Sequence, residues 1–406
     1  MRGIDRIPPK YLIISAELLA DLGNQFVGLT LLDRLIFKGE HALSNLLVLC
    51  LVVQAPSIFL SPLAGLWMDR VGARKWLAMV SVANCLLVSL LAFQPSLWVV
   101  FPAFLCFTVG SLFFHIGRLS LTPLLLPKDG VIPFNALNER VSLAGSIFGP
   151  CLIGWVVLRG GQGFALALAA ALFALSACCI VRLPRLVQAV KDSGCFANGG
   201  GGLKPLFLAY TEPFRNSHNL RACFFAFGFV LLGGGVINIG LPILFKANFG
   251  SNIAHWGLIM SGFQAGCCLA TFLLPRWSST FRQETILSLT FLTLGGAMAI
   301  LGHLTTHIQI ALLMILVGCG FSLTHIFLES LIQQSSPKAH LGRTMSLLAA
   351  YKGACYLGAI FAGALVLRVW GPQPLLLAGA FIMVSASLLT RSAMPLKKAL
   401  LGGRKG

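Results

Sequence analysis

Charged residues are scarce in this chain of 406 residues, where Asp, Glu, Lys and Arg together make up 10% of the sequence. A soluble domain carries about 25% charged residues, because its surface must face water. Hydrophobic residues make up 57% of the chain, and its mean hydropathy is +0.87. We therefore expect lipid to surround most of the chain, and soluble multidomain folds are excluded.

The sequence also lacks the signatures of catalysis. It contains no Walker nucleotide-binding loop, no G-x-S-x-G nucleophile motif and no H-E-x-x-H metal motif. Cysteines other than Cys195 lie in apolar runs, where Cys behaves as a small hydrophobic residue, and none has the spacing of metal ligands. We therefore expect a protein that is not an enzyme and that uses no metal or cofactor.

Acidic residues are the rarer charge, with 12 Asp and Glu against 30 Lys and Arg and a net charge of +18. Such an excess can indicate nucleic-acid binding, but the basic residues fall mostly in alternate loops between apolar runs. The loops on one side of the membrane carry most of the Lys and Arg residues. The loops on the other side carry only Arg34, Lys38, Arg159, Lys246 and Arg368. This positive-inside bias predicts a multi-pass protein of a bacterial inner (cytoplasmic) membrane with both termini in the cytoplasm and no nucleic-acid partner.

Long apolar runs dominate the sequence, and a membrane-spanning helix needs about 20 such residues. We predict twelve spans: 11–34, 44–68, 76–94, 97–123, 134–158, 162–183, 219–245, 252–275, 285–304, 307–331, 344–368 and 373–391. Residues 184–218 break the pattern and contain four consecutive glycines, which is typical of a flexible linker. The sequence thus predicts an all-α membrane protein with six-helix bundles at 1–183 and 219–406, joined by a cytoplasmic linker.

The loop between the second and third spans carries an ordered motif. Its positions are Gly65, Asp69, Arg70, Gly72 and Arg74. This pattern resembles the loop signature of the major facilitator superfamily, roughly G-x-x-x-D-R-x-G-R-R. The glycines allow close helix contact and a tight turn, and the acidic position allows either capping of the following helix or pairing with a basic residue across the bundle interface. The resemblance implies a gate, whereas a simple turn with positive-inside charges would explain the basic residues but not the acidic one.

The fifth span contains small residues four apart, at Gly145 and Gly149, followed by Pro150. This segment resembles the antiporter motif of the same superfamily, although small residues at this spacing also serve ordinary helix packing. The stretches 122–129 and 135–138 are similar to the exporter branch that includes enterobactin exporters and macrolide-efflux proteins. The resemblance implies a kinked, closely packed gating helix and export by alternating access.

The first span carries polar groups on one helix face. Glu17, Asp21 and Asn24 recur at i, i+4 and i+7, with Gln25 beside them. An ionisable group at membrane depth is costly unless it faces protein or water, so it is a functional candidate. We expect Glu17 and Asp21 to couple transport to protons and Asn24 and Gln25 to contact substrate. Solvation of Glu17 near the cytoplasmic end of the span is the alternative.

The fourth span adds His115 and Arg118, which share a helix face. Arg118 can hold an anionic substrate, pair with Glu17 or Asp21, or extend to the cytoplasmic surface. We predict both His115 and Arg118 as substrate-binding residues.

The second half of the chain offers a further set of polar residues at membrane depth. His325 and Glu329 are four apart in the tenth span, and Tyr351 and Lys352 are adjacent in the eleventh. A Glu329–Lys352 pair would neutralise both charges and serve either proton coupling or a permanent clamp between helices. We predict His325, Tyr351 and Gln264 as substrate contacts.

These patterns together predict a secondary active transporter that exports an amphiphilic small molecule, such as a drug or a siderophore, in exchange for protons. Import of a similar solute, and lipid flipping by the same fold, remain open. A receptor or scaffold without transport would not need intramembrane charges. We expect the partners to be the substrate, protons and the lipid bilayer, and the protein to be a monomer.

Overall fold

The structure is a computed structural model that describes residues 8–71, 73–93, 96–125, 128–183, 218–250, 252–280, 282–335 and 341–393. The described elements are helices. They are α1 (Pro9–Leu32), a π-helical turn (Asp33–Phe37), α2 (Ala42–Val71), α3 (Ala73–Ala92), α4 (Leu97–Leu125), α5 (Lys128–Val181), α6 (His218–Phe249), α7 (Ile253–Thr280), α8 (Gln283–Leu301), α9 (His307–Ser335), α10 (Leu341–Trp370) and α11 (Pro372–Ala393). The predicted linker at 184–218 lies almost entirely outside the described residues.

Among the described residues, eleven helices are long and apolar enough to cross a membrane, one fewer than the twelve predicted spans. The difference lies in α5, whose apolar part, Val141–Val181, has 41 residues. At 1.5 Å per residue it would reach about 60 Å, twice the thickness of a bilayer core. Gly161 interrupts α5 with φ +78° and ψ 170°, a conformation that favours glycine. The break falls between the predicted fifth and sixth spans.

The helices are apolar around most of their circumference, which is typical of membrane spans. Large apolar side chains such as Phe93, Trp98 and Phe381 lie on the outside and are more than 70% exposed. Others, such as Phe173 and Phe291, are fully buried between helices. This distribution places the apolar surface where lipid would cover it, so the chain is a multi-pass membrane protein.

The chain divides into two compact units. Unit 1 comprises described residues within 1–192 together with 249–261, and unit 2 comprises those within 193–248 and 262–406. The first residues of α7 therefore belong to unit 1 and the remainder of that helix to unit 2. The predicted bundle boundaries at 183 and 219 stay predictions.

In unit 1, α1 packs chiefly against α5, which also contacts α3, while α4 packs against α2 and α3. The contact of α1 with α5 is close because Gly23 faces the ring of Phe173, where an added Cβ would lie 2.7 Å from a ring carbon. Ser176 donates a hydrogen bond of 2.8 Å to the Ala16 carbonyl. These contacts fix the face of α1 that carries the predicted polar residues.

The π-helical turn that ends α1 carries a carboxylate that the sequence did not single out. Asp33 is fully buried. Its Oδ2 accepts a hydrogen bond of 2.7 Å from Gln162 and lies 2.9 Å from the Lys38 ammonium. The turn itself is tied to the start of α2 by Asn45, which donates to the Leu35 carbonyl. π-Helical turns are rare and occur often at functional sites. The junction of α1 and α2 is therefore held in a defined conformation by these contacts.

In unit 2, α8 packs on α9 and α11, and α10 on α11. A buried hydroxyl pair, Ser288 with Ser387 at 2.6 Å, joins α8 to α11. Helix α7 approaches α9 through Gly262 and Gly266, where an added Cβ would collide with carbonyl groups of α9. Buried hydroxyls and small residues are the usual means by which helices associate in lipid, where the hydrophobic effect contributes little.

Gly161 and Gly296 form a matched pair, because an added Cβ meets nothing within 4 Å at either position and only Gly161 has a positive φ. We predict that Gly161→Ala lowers the free energy of unfolding by about 1–3 kcal/mol through backbone strain. Gly296→Ala, in the interior of α8, leaves it unchanged or raises it by up to ~1 kcal/mol. Thermal unfolding of the purified protein in detergent, followed by circular dichroism, measures both. Equal stability of the two variants would contradict the assigned break in α5.

Candidate functional site

The polar residues of α1 meet a basic partner on α4. Glu17 Oε1 lies 2.7 Å from Arg118 Nε, and the two side chains are only 9% and 10% exposed. The pairing of Arg118 with Glu17 is one of the alternatives that the sequence left open. The other interpretation of Glu17, as a solvated residue near the cytoplasmic end of the span, is wrong. Each charge compensates the other where water is excluded, so removal of either one would leave a buried charge uncompensated.

One turn along the same face, Asp21 is half-buried and is contacted by α5. Its Oδ2 accepts a hydrogen bond of 3.1 Å from the Ser142 hydroxyl. A hydroxyl can rotate, so it can donate to a carboxylate or accept from a carboxylic acid. This contact therefore suits a group that changes its protonation state.

Asn24, the third polar residue of this face, belongs to a hydrogen-bonded chain across three helices. Its Oδ1 accepts a hydrogen bond of 2.8 Å from Ser111, whose Oγ lies 3.4 Å from Asn84 Nδ2. Asn84 is buried and lies against Gly110, where any Cβ would collide with its amide. Because Asn24 uses its carbonyl oxygen in this chain, its amide N–H groups remain oriented for other acceptors.

The small residues of the predicted antiporter motif face α1. An added Cβ on Gly149 would lie 2.5 Å from Gln25 Oε1, and one on Gly145 would lie 3.0 Å from a Leu18 methyl group. The Gln25 side chain therefore lies directly on the backbone of α5. These glycines allow the close approach of helices that the spacing predicted.

The next turn of α5 forms a second close contact, with the part of α7 that belongs to unit 1. A Cβ on Gly154 would lie 2.7 Å from the Ile253 carbonyl oxygen, and one on Gly257 would collide with the carbonyl of Pro150. We call this contact of Pro150 and Gly154 with Ile253 and Gly257 the α5–α7 seam. Its two backbones touch without intervening side chains, so it has no room for larger residues.

A hydrogen bond adds to the α5–α7 seam. The Cys151 backbone N–H donates to the Ser261 hydroxyl at 3.2 Å. Pro150 itself has no N–H, so α5 lacks one helical hydrogen bond beside this contact. The seam is thus held by a polar contact as well as by packing.

The loop motif is only partly described. Gly65, Asp69 and Arg70 lie in the last turns of α2, but their side chains are outside the described set, and Gly72 itself lies outside the described residues. The gating role predicted for these four positions stays a prediction.

Arg74, at the start of α3, is described in full. Its Nε donates to the Ile180 carbonyl at 3.5 Å and its Nη2 donates to the Val181 carbonyl. These carbonyls lie in the last turn of α5, where helical partners run out, and the Ile180 carbonyl also accepts a hydrogen bond of 3.1 Å from the Leu183 N–H. A cation at a helix C-terminus is favoured by the helix dipole, so Arg74 ties the end of α5 to the start of α3.

In unit 2, the predicted pair of Glu329 and Lys352 is present. Lys352 Nζ donates to Glu329 Oε1 at 2.6 Å, and His325 Nδ1 lies 3.9 Å from the same oxygen, beyond hydrogen-bond distance. The Glu329 and Lys352 side chains are 31% and 26% exposed. Unlike the Glu17–Arg118 pair, this pair is therefore open to an approaching molecule.

Aromatic rings surround this pair. The Lys352 ammonium lies 5.2 Å from the centre of the Phe227 ring, in cation–π geometry. The His325 ring meets Phe227 edge-on at 4.8 Å and lies 5.9 Å from Phe321. We call Phe227, Phe321, His325, Glu329 and Lys352 the acidic–aromatic cluster.

Tyr351 packs beside the cluster and ties α10 to α6. Its ring lies 5.3 Å from Phe224, and its hydroxyl occupies the space that a side chain on Gly228 would need. Gln264 is half-buried on the unit 2 part of α7. His115 on α4 is exposed, and no hydrogen bond or ion pair described for unit 1 includes it. His115 is nevertheless close enough to Arg118 for the two side chains to interact electrostatically. The substrate contacts predicted for His115, Tyr351 and Gln264 stay predictions.

Comparison with known families resolves what class of protein carries these features. The sequence profile of the Major Facilitator Superfamily matches residues 13–356 and 223–405. The chain belongs to the Major Facilitator Superfamily. As a member, it is a secondary transporter, which agrees with the absence of catalytic motifs from its sequence.

Two curated relatives are similar over most of the chain. One is the uncharacterized superfamily-type transporter y4rN of Sinorhizobium fredii (strain NBRC 101917 / NGR234), 24% identical over 386 residues, covering 90% of each protein. The other is the uncharacterized superfamily-type transporter YfiS of Bacillus subtilis (strain 168), 24% identical over 374 residues, covering 88% of this chain and 86% of the relative. These similarities extend the superfamily assignment over both units.

Solved structures agree on the fold. The nucleoside transporter NupG matches with a TM-score of 0.72 at 18% identity, over 96% of this chain and all of the other. An auto-inhibited peptide transporter of the POT family matches with a TM-score of 0.74 at 14% identity, over 98% and 99%. At this level of identity the likeness shows the superfamily fold alone. The enterobactin-exporter or macrolide-efflux branch suggested by the sequence stays a prediction.

The Glu17–Arg118 pair leads to a stability prediction. We predict that Arg118→Ala lowers the free energy of unfolding by about 3–5 kcal/mol, because it leaves the Glu17 carboxylate buried and unpaired. Glu17→Gln combined with Arg118→Gln removes both charges and should restore part of that loss. Arg159→Ala, at an exposed arginine of α5, is the matched control and should change stability little. Thermal unfolding in detergent measures all three, and equal losses for Arg118→Ala and Arg159→Ala would refute the buried pair.

Proposed function

We propose that this superfamily member exports an amphiphilic small molecule in exchange for protons, by alternating access. It would do so in a bacterial inner membrane, with both termini in the cytoplasm and twelve crossings arranged as two sets of six. Drugs and siderophores are the candidate solutes. The observation that carries the proposal is the presence, in each unit, of a charged pair between apolar helices, beside polar groups that can bind a solute.

The cost of intramembrane charge supports a transport role for these groups. Each ionised side chain at the bilayer centre costs about 3 kcal/mol or more unless it is compensated. Unit 1 contains Glu17, Asp21 and Arg118 within its helices, and unit 2 contains Glu329 and Lys352. A passive membrane anchor would need none of them. A transporter needs such groups because they bind protons and polar solutes inside the membrane.

We assign the proton sites to carboxylates that can exchange partners. Asp21 accepts from a rotatable hydroxyl, and protonation would reverse that hydrogen bond without loss of the contact. Protonation of Glu329 would weaken its attraction for Lys352 at 2.6 Å and make the ammonium available. Glu17 differs because it is buried against Arg118 at 2.7 Å, so we assign it the role of supporting Asp21 on the same helix face.

The solute contacts that we propose combine donors, acceptors and rings. Asn24 presents amide N–H groups in unit 1, beside Gln25. His325 and Tyr351 lie among phenylalanine rings in unit 2, and Gln264 lies on α7. A mostly apolar lining with a few placed polar groups is typical of sites for small molecules that are themselves partly apolar. This chemistry supports an amphiphilic solute.

The gating assignment has two parts. The α5–α7 seam brings backbone against backbone at Gly154 and Gly257, and we assign this contact to the closed state of the transporter. The motif at the end of α2, with Asp69 and Arg70, would gate the opposite end of the helices. The likeness of the Pro150 segment to antiporter sequences supports export over import.

Direction and coupling can be tested together. Cells with and without the protein are compared for metabolites inside and outside, and an exporter leaves its solute at a higher internal level in the cells that lack it. For the solute so identified, we predict that Asp21→Asn abolishes transport driven by a pH gradient in proteoliposomes, because an amide cannot carry the proton. Glu40→Gln, at an exposed acid, is the matched control. Unchanged gradient-driven transport by Asp21→Asn would remove Asp21 from the mechanism, and lower internal solute in the cells that lack the protein would indicate import.

The seam gives a separate prediction. Gly154→Val and Gly257→Val add side chains where backbone carbonyl groups already lie, which costs about 1–3 kcal/mol in a closed contact. We predict at least a tenfold lower transport rate for each variant, with the folded yield retained. Gly358→Val on α10 is the matched control, since an added Cβ there meets nothing within 4 Å. Transport by Gly154→Val equal to that of the control would show that the seam does not need to close.

A further inference from the structure

We propose that the acidic–aromatic cluster of unit 2 is a recognition site for an amphiphilic organic cation, and that the Lys352 ammonium occupies this site when no solute is bound. The inference rests on the proposed function only in treating the bound molecule as cargo. The recognition itself follows from the contacts of Lys352. It also narrows the solute class, which the preceding argument leaves as amphiphilic without regard to charge.

The Lys352 ammonium makes the two contacts that a cation site provides. It lies 2.6 Å from Glu329 Oε1 and 5.2 Å from the centre of the Phe227 ring. A carboxylate attracts positive charge, and the face of an aromatic ring does the same because the electron density of the ring lies there. A site that binds an ammonium ligand can therefore combine a carboxylate with the face of an aromatic ring. Lys352 therefore holds the position that a bound ammonium group would take.

The rest of the cluster suits the apolar part of such a molecule. His325 stands edge-on to Phe227, and Phe321 lies beside His325. Phe263, in the unit 2 part of α7, extends the aromatic surface, with its ring centre 6.1 Å from that of Phe321. Flat rings at these distances offer a large apolar contact area at little cost in conformational entropy. A cation with apolar substituents would match both the charge and the surface.

An anionic solute fits this arrangement poorly. To reach Lys352 it would approach the Glu329 carboxylate, which carries the same charge, and the face of Phe227, which repels negative charge. A solute cation, in contrast, would find two attractive groups once Lys352 had moved away. The electrostatics of the cluster thus favour exchange of one cation for another.

Lys352 is able to move away because its side chain is long and flexible, with a compact charge at its end. It is 26% exposed, so the space beside it is open. The backbone at this point is held by the neighbouring Tyr351, which packs on Phe224 and over Gly228. The ammonium can therefore leave while α10 keeps its contact with α6.

The Lys352 ammonium, which is tethered to the chain, competes with any free cation for the acidic–aromatic cluster. The Lys352 ammonium is present at a high effective concentration, so it lowers the apparent affinity for a solute cation by the fraction of time that it fills the site. Removing its charge should strengthen the binding of a cation. If Lys352 contacted the solute directly, removing its charge would instead weaken binding.

The test is equilibrium binding of radiolabelled tetraphenylphosphonium to the purified full chain in detergent, without any gradient. We expect Lys352→Gln to bind this cation about tenfold more tightly than the unmodified chain, and Glu329→Gln to lose binding. Phe227→Leu should bind several-fold more weakly, whereas Phe225→Leu is the matched control, because Phe225 is 68% exposed and lies away from the cluster. Lys75→Gln, at an exposed lysine of unit 1, controls for loss of a positive charge.

Tetraphenylborate, an anion of the same shape, serves as the opposing probe. Binding of the anion that is lost in Lys352→Gln, weaker binding of the cation by Lys352→Gln, or no binding of the cation by any of these proteins would overturn the proposal. If Lys352→Gln does not fold, as judged by size-exclusion chromatography, the comparison of Phe227→Leu with Phe225→Leu decides. Equal cation binding by those two variants would then overturn it.

The outcome is separable from that of the proposed function. Cation binding of the expected pattern without proton-driven transport would refute the proposed exchange while leaving this site in place. Proton-driven transport of the natural solute by a protein that does not bind tetraphenylphosphonium would refute the cation site alone.

Discussion

Hydrocarbon offers neither hydrogen bonds nor screening of charge, so every polar group that this chain carries into the membrane must find its partner within the protein. The Glu17–Arg118 and Glu329–Lys352 pairs, at 2.7 and 2.6 Å, are solutions to that constraint. The small residues of α5 and α7 help to meet the same constraint, because they bring helix backbones close enough for contacts such as that of Cys151 with Ser261. The two pairs differ in exposure, and the difference separates their roles: the buried one holds α1 to α4, while the open one is available to an incoming molecule.

Much of this organisation could be predicted from the sequence, because a polar residue in lipid is costly unless another group of the protein compensates it. Glu17, Asp21 and Asn24 were placed on one face by helical spacing alone, and each has a partner on another helix. The pairing of Glu329 with Lys352 followed from the need to compensate two isolated charges. The superfamily followed from the ordered motif around Asp69. In each case a local pattern was enough, because the helix is the only regular structure available to these apolar runs.

Other features depended on tertiary contacts that no local pattern reports. Asp33 lies near the end of the first apolar run, where an acidic residue is expected to face water, and only the π-helical turn and Gln162 bury it. Asn84 was one polar residue among many in the third span, and its importance depends on Ser111 and Gly110 from another helix. Gly161 is one of two glycines between the fifth and sixth predicted spans, and its positive φ could not be read from composition. His115 shares a helical face with Arg118 and interacts with it electrostatically, as the spacing predicted, but the exposure of His115 depends on the neighbouring helices and could not be read from spacing.

The acidic residues of α1 and of the π-helical turn that follows it have a consequence for how the protein is made. Ser142 follows Asp21 by 121 residues, and Gln162 follows Asp33 by 129 residues. At a synthesis rate of about 5–20 residues per second, the first helix waits roughly 6–25 s before these partners emerge from the ribosome. During that interval Glu17 and Asp21 lack the partners that α4 and α5 later supply, so α1 is a poor candidate for stable insertion by itself. We therefore expect stable insertion of α1 to require that it stay beside the insertion machinery until α4 and α5 arrive.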